Sequence, residues 1–86
     1  MDEKTLFLEI LTPEKSLFNG KVLSVHLPGA TGPFTLLANH APIIALLTEG
    51  YVRIIDKNHD KHNYKIKDGV VDVKDNSVVI LTQSVI

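Results

Sequence analysis

Four histidines and a run of alternating lysines and aspartates are the side chains of this chain best suited to chemistry. His59 and His62 stand three apart with Asp60 between them. Two imidazoles and a carboxylate are ligand types for zinc or copper. A structural site takes four ligands, though, and this polar segment offers too few and frames them loosely. The pair reads as part of a solvated turn, and no metal is expected. His40 lies in an apolar corner, Asn39-His40-Ala41-Pro42. As a general base it would need a nucleophile and an orienting carboxylate. No serine stands in a Gly-x-Ser-x-Gly elbow, and the nearest acid in sequence is Glu49. His40 therefore reads as a hydrogen bond that pins the corner, or as an interface contact. Gly29 and Gly32 suggest a phosphate loop only if a helix follows them, and the follower is an apolar run behind Pro33.

Lys57, Lys61, Lys65 and Lys67 alternate with Asp56, Asp60 and Asp68. Only Tyr64 among them could stack a base, so a charged hairpin is expected rather than a nucleic-acid site. Asp56-Lys57 at a hairpin tip admits one alternative, a lipoyl or biotinyl carrier domain with a modified lysine at a turn. The long polar continuation Asn58-His59-Asp60 argues against it. The chain has no cysteine, which leaves no disulfide, zinc-thiolate or thiol chemistry. No catalytic group and no cofactor is assigned.

The elements that position these residues are short. Eighty-six residues with 44% hydrophobic side chains suffice for one small domain, residues 1–86, with a core. A chain of this size buries only roughly 60–65% of its unfolded surface, so a partner would add stability. A net charge of −1 gives no long-range attraction for nucleic acid or membrane. The start, Met1-Asp2-Glu3-Lys4, does not read as a signal peptide, and the apolar runs are far shorter than the ~20 residues a helical span requires. A soluble, cytosolic protein is expected, meeting a membrane only through a partner.

Leu6 to Leu11 alternates as a strand with Leu6, Leu8 and Ile10 on one face. Thr12-Pro13-Glu14 turns it. Ser16 to Phe18 reads as a short strand ended by an Asn19-Gly20 hairpin turn. Lys21 to Leu27 follows, with Leu23, Val25 and Leu27 inward. From Leu27 to Gly50 the chain holds three of the four prolines and three of the five glycines. Pro28-Gly29 is a turn signature, Gly32-Pro33 fixes the loop tip, and Pro42 suits a sheet edge or corner. Val52 and Ile54, then Tyr64 and Ile66, then Val71 and Val73, mark later strands, separated by Asp56 to His62, Asp68-Gly69 and Asp75-Asn76. No window shows a helical period. The pattern predicts an all-β fold, a small antiparallel sandwich of about eight to ten short strands without substantial helix. Phe7, Ile55, Val70, Val78 and Ile80 are expected to point outward, and if clustered they would form an apolar interaction patch. A sandwich adaptor using such a patch is a second alternative.

Leu-Pro-Gly-x-x-Gly-x-Phe-x-x-Leu-x-x-His-Ala-Pro-Ile-Ile, running from Leu27, resembles the amino-terminal β domain of the epsilon subunit of F-type ATP synthase. Ile10-Leu11-Thr12-Pro13-Glu14 with Phe18-Asn19-Gly20 resembles that family's opening. Asp68-Gly69-Val70-Val71-Asp72-Val73 with Val78 to Thr82 resembles its closing hairpin. The resemblance covers essentially the whole chain.

The resemblance implies a non-catalytic subunit of the central stalk. It would bind the gamma subunit and the ring of c subunits, sit peripherally at the cytoplasmic face of the energy-transducing membrane, and couple proton flow to ATP synthesis as one copy within a hetero-oligomer. By position, Gly29, Ala30, Thr31, Gly32 and Pro33 match the c-ring contact, and Thr12, His40 and Ala45 match positions facing gamma. The family often has an acidic residue in place of Pro33 and a glycine in place of Thr35. Any ring contact here is therefore expected to rest on shape and backbone acceptors. Many members continue into a carboxy-terminal helical hairpin that can inhibit hydrolysis. This sequence stops at Ile86, so inhibition by that route and the associated nucleotide site are expected to be absent.

Overall fold

In the computed structural model, which describes residues 4–83 and 85, eight strands and no helix form one curled sheet. They are β1 (Leu6–Leu11), β2 (Ser16–Leu27), β3 (Phe34–Leu37), β4 (Ile43–Leu47), β5 (Gly50–Asp56), β6 (Lys61–Ile66), β7 (Gly69–Lys74) and β8 (Ser77–Leu81). The strand order is β4-β7-β8-β1-β2-β5-β6, with β3 on β2. All pairs are antiparallel except β1 with β8, which runs parallel. The sheet folds on itself as a sandwich. Bridges from Gly29 to Leu47 and from Ile66 to Val85 draw its remote strands together.

The core follows the period-two alternation of apolar residues. Leu6, Leu8 and Ile10 of β1, Val71 and Val73 of β7, and Val52 and Ile54 of β5 are almost fully buried. Burying such side chains is the main source of stability, at roughly 1.5–3 kcal/mol each.

Three expectations are corrected. Asn19-Gly20 is not a turn. β2 runs unbroken through it, with Asn19 opposite Glu9 and Gly20 opposite Leu8. The hairpin closes instead at Thr12–Lys15, where the Thr12 amide donates to the Lys15 carbonyl at 2.9 Å. Full-length pairing with β1 outweighs the local turn preference, because a reversal at Asn19 would leave half of β1 without a ladder. Second, Val22 rather than Leu23 faces the core. The β2–β5 register slips between Val22 and Ser24, and this irregularity reverses the alternation upstream of Ser24. Third, Val78 and Ile80 are fully buried, and Val79 and Leu81 point outward. β8 is apolar on both faces, so alternation alone does not say which face is inside.

The Asp75-Asn76 turn forms as expected, with positive φ at both residues. Asn76 does more than turn the chain. Its Nδ2 donates to the Thr5 carbonyl at 2.6 Å, and its Oδ1 accepts from the Asn39 amide at 2.8 Å. One side chain thus ties the start of β1 and the corner before His40 to the β7–β8 hairpin.

Candidate interaction surfaces

The loop from Pro28 to Pro33 is tightly built, and its two glycines serve different ends. The Gly32 amide donates to the Gly29 carbonyl at 3.0 Å, which centres the turn on Ala30-Thr31 rather than on Pro28-Gly29 as the sequence suggested. Gly29 is required for space: a Cβ there would lie 2.4 Å from the Gly32 carbonyl oxygen and 2.8 Å from the Phe34 ring. Gly32 is required for backbone conformation, with φ at 138° and open space around it. The loop is anchored to the end of β4, since the Ala30 amide donates to Leu46 and the Thr48 amide to Pro28, at 2.9 and 2.8 Å. These bonds also cover part of an edge strand that would otherwise offer its backbone to other chains. Ala30, Thr31, Gly32 and Pro33 form an exposed, pre-shaped tip.

Thr12, His40 and Ala45 fall on or beside the sheet half built from β4, β7, β8 and β1. The Thr12 hydroxyl donates to the Lys15 carbonyl at 3.1 Å and accepts the Lys15 amide at 3.2 Å, so it shapes the β1–β2 turn. His40 is half-buried at the far end of β4, with Nδ1 2.7 Å from the Ala41 carbonyl oxygen. No nucleophile–base arrangement around it is seen among the described residues, and its ring contact lies within the corner. Ala45 packs against the core, so its side chain faces inward. The residues beside it, Ile44 and Leu46, face outward at 76% and 67% exposure.

These two belong to a surface that the sequence reading missed. By register, Leu46 pairs with Val70, Val70 with Leu81, and Leu81 with Leu11. One outer row across four strands is therefore wholly aliphatic. The neighbouring row holds Ile44, Asp72, Val79 and Glu9. The aliphatic row floors an open groove of about 690 Å³, with Thr12 and Ala30 on its walls. Of the residues expected to form a patch, Val70 lies here and Phe7 two rows away, while Ile55 belongs to the opposite face. A visible signal existed, since Ile43 to Leu47 is apolar on both faces. A strand of that kind either lies deep in a core or presents its second face to a partner.

The polar tip is more ordered than its composition suggested. Asp56 Oδ1 accepts from the amides of Asn58 and Asp60 at 2.8 and 3.0 Å, and Oδ2 lies 2.7 Å from His62 Nε2. His62 packs edge-on to Phe18, with ring centroids 5.3 Å apart. Among the described residues no cluster of metal-ligating side chains forms. The His62 hydrogen bond, helped by the two amides, lowers the Asp56 pKa. A carboxylate with a lowered folded-state pKa contributes stability above its unfolded value of about 3.9, and this is lost as pH falls through the folded value. Asp56→Asn should therefore flatten the acid limb of a stability–pH curve below about pH 5. Urea midpoints taken between pH 2 and 6 would test it, and an acid limb as steep as the wild type's would refute the coupling.

The sequence of residues 5–86 matches the family model for the beta-sandwich domain of the ATP synthase delta/epsilon chain. The chain is 46% identical over 78 residues to the ATP synthase epsilon chain of Protochlamydia amoebophila, and the match covers 91% of this chain and 53% of that one. It is 36% identical over 83 residues to the epsilon chain of Chlorobium limicola, covering 96% of this chain and 94% of that one. It thus spans about half the length of the first relative and nearly all of the second. Its fold is similar to that of a chain in the mitochondrial ATP synthase of Euglena gracilis, with a TM-score of 0.89 at 19% identity, covering all of this chain and 55% of that one.

Proposed function

We propose, from the premise that this chain belongs to the delta/epsilon β-sandwich family of ATP synthase, that it is a non-catalytic subunit of the central stalk. It binds the gamma subunit and the c ring and takes part in coupling proton flow to ATP synthesis. It works peripherally at the cytoplasmic face of the energy-transducing membrane, carried there by the ring. The family match across residues 5–86 is the observation that carries this reading. It displaces the carrier-domain alternative and gives the adaptor alternative its partners.

The geometry suits the role. A stalk subunit has to grip two partners at once without bending between them. This sandwich has an aliphatic sheet face and, at the end of β4, a loop tip held by three backbone hydrogen bonds. The aliphatic face around Ile44 and Leu46 is assigned to gamma, together with Thr12 and His40. Ala45 contributes through its small size, which keeps β4 close to the core. The tip from Gly29 to Pro33 is assigned to the ring. Because Pro33 carries no charge, ring contact depends on the loop's shape and on carbonyl acceptors.

Calorimetric titration of the chain into gamma from the same source tests the first contact. One-to-one binding at micromolar affinity or tighter is expected, and absence of heat with both proteins folded would reject it. Thr31→Trp tests the second contact. Thr31 is exposed and lies outside the strained position at Gly32, so the variant should fold normally. It should reduce recovery with c-ring membranes about tenfold or more while leaving gamma affinity unchanged, since bulk at a close contact typically costs about 1–3 kcal/mol. Equal loss of both would show that the two surfaces are misassigned.

A further inference from the structure

The outer face of the β2-β5-β6 half carries more charge than the aliphatic face, although the row beside Arg53 holds Leu37 and Ile55 on either side of Ser24. Its outward positions carry Arg53, Lys61 and Lys65, with Tyr51, His26 and Asn63 beside them. Arg53 Cζ lies 5.3 Å from the centre of the Tyr51 ring, and Lys65 Nζ lies 5.8 Å from it. Two cations thus share one aromatic ring. Among the described residues no carboxylate pairs with Arg53, Lys61 or Lys65. Across the sheet, His26 stands opposite Arg53 and is oriented by Thr35, with Nδ1 2.8 Å from Thr35 Oγ1. The molecule carries a net charge of −1, so this cationic face is a local separation of charge and not a reflection of bulk composition.

Like charges brought together on one ring repel, and the arrangement is maintained by attraction to the ring's negative face. An arriving anion would relieve the repulsion. We propose that this face is a docking surface for an acidic protein segment, one carrying two or three carboxylates in extended or helical spacing. The chemistry favours protein over lipid. Recognition of an anionic membrane needs a cluster of about four to eight Lys or Arg, more than the three found here. Tyr and Arg, by contrast, are the residues that dominate protein–protein contacts, and the guanidinium fork of Arg53 matches a carboxylate with two parallel hydrogen bonds. Lys61 and Lys65 are four residues apart on β6, which spaces them by roughly 13 Å. They can therefore meet carboxylates on either side of one engaged by Arg53. This surface is separate from those assigned to gamma and the ring, and the inference does not depend on those assignments.

Amide chemical-shift mapping of the full chain with a hexaglutamate peptide at low salt tests it. Shifts are expected at His26, Tyr51, Arg53 and Lys65, fading as salt is raised. Arg53→Gln combined with Lys65→Gln should weaken the apparent affinity at least tenfold, with the spectrum otherwise that of the folded wild type. Lys74→Gln, on the opposite half of the sheet, should leave affinity unchanged. Three outcomes would overturn the proposal: no shifts at low salt, shifts spread equally over Lys21, Lys57 and Lys74, or silence with the peptide alongside binding to phosphatidylglycerol vesicles. The last would assign the face to lipid.

Discussion

Leu46→Glu should weaken binding to gamma by at least about 100-fold, which corresponds to roughly 2.7 kcal/mol. Leu46 is 67% exposed and its side chain leaves the sheet on the aliphatic row with Val70, Leu81 and Leu11. In the free protein a carboxylate there stays in water, and surface substitutions of this kind change stability by only about 0.5 kcal/mol. If gamma covers this face as proposed, the same carboxylate would be desolvated against the aliphatic row, which costs several kcal/mol unless it is paired. The difference between the two states is what the titration reads. The variant's thermal midpoint serves as the folding control. An affinity within about threefold of wild type, with the fold intact, would remove gamma from this face. Ile44→Glu, on the neighbouring row at 76% exposure, should behave alike. Ala45 offers a contrast, because its side chain packs against the core and a larger group there would act through stability.

Gly29→Ala should destabilise the whole domain by about 2 kcal/mol and impair ring docking. The added methyl would stand 2.4 Å from the Gly32 carbonyl oxygen, a backbone atom that cannot rotate away, and 2.8 Å from the Phe34 ring. Relief requires the loop to lift from β4, which breaks the bonds from Ala30 to Leu46 and from Thr48 to Pro28. For a domain of this size about 2 kcal/mol lowers the thermal midpoint by roughly 8–16 °C. A Gly29→Ala midpoint equal to the wild type's would show that the loop is slack and that its geometry is not what the ring would recognise. Paired with Thr31→Trp, the experiment separates loop shape from loop surface: the first variant loses shape, the second keeps it and blocks contact.

The elements that obeyed a simple local rule were legible. β1, β5 and β7 alternate with one apolar face each, and the buried residues are those the alternation named. Asp75-Asn76 turned where its residue types favour positive φ. The ordered motifs from Ile10 through Thr82 carried the resemblance to the epsilon family, and the family match over residues 5–86 bears it out. The loop from Gly29 to Pro33 was legible as a fixed shape, though which glycine served which purpose was not.

Tertiary structure alone decided the rest, and in each case a long-range pairing overrode a local preference. Asn19-Gly20 prefers a turn, but its pairing with Glu9 and Leu8 extends β2 to twelve residues. The slip between Val22 and Ser24 moved Leu23 off the core, and no local pattern encodes a bulge that arises from pairing with a strand some thirty residues on. β8 could bury either face until β7 and β1 closed around it. The aliphatic row joins residues from Leu11 to Leu81, and the cationic face joins Arg53 and Lys65 over Tyr51. Both are made by strand register. The sequence by itself determined where most strands would form and which family they belong to. The curled sheet decided which side chains share a face, because adjacency across a sheet is set by pairing between distant segments.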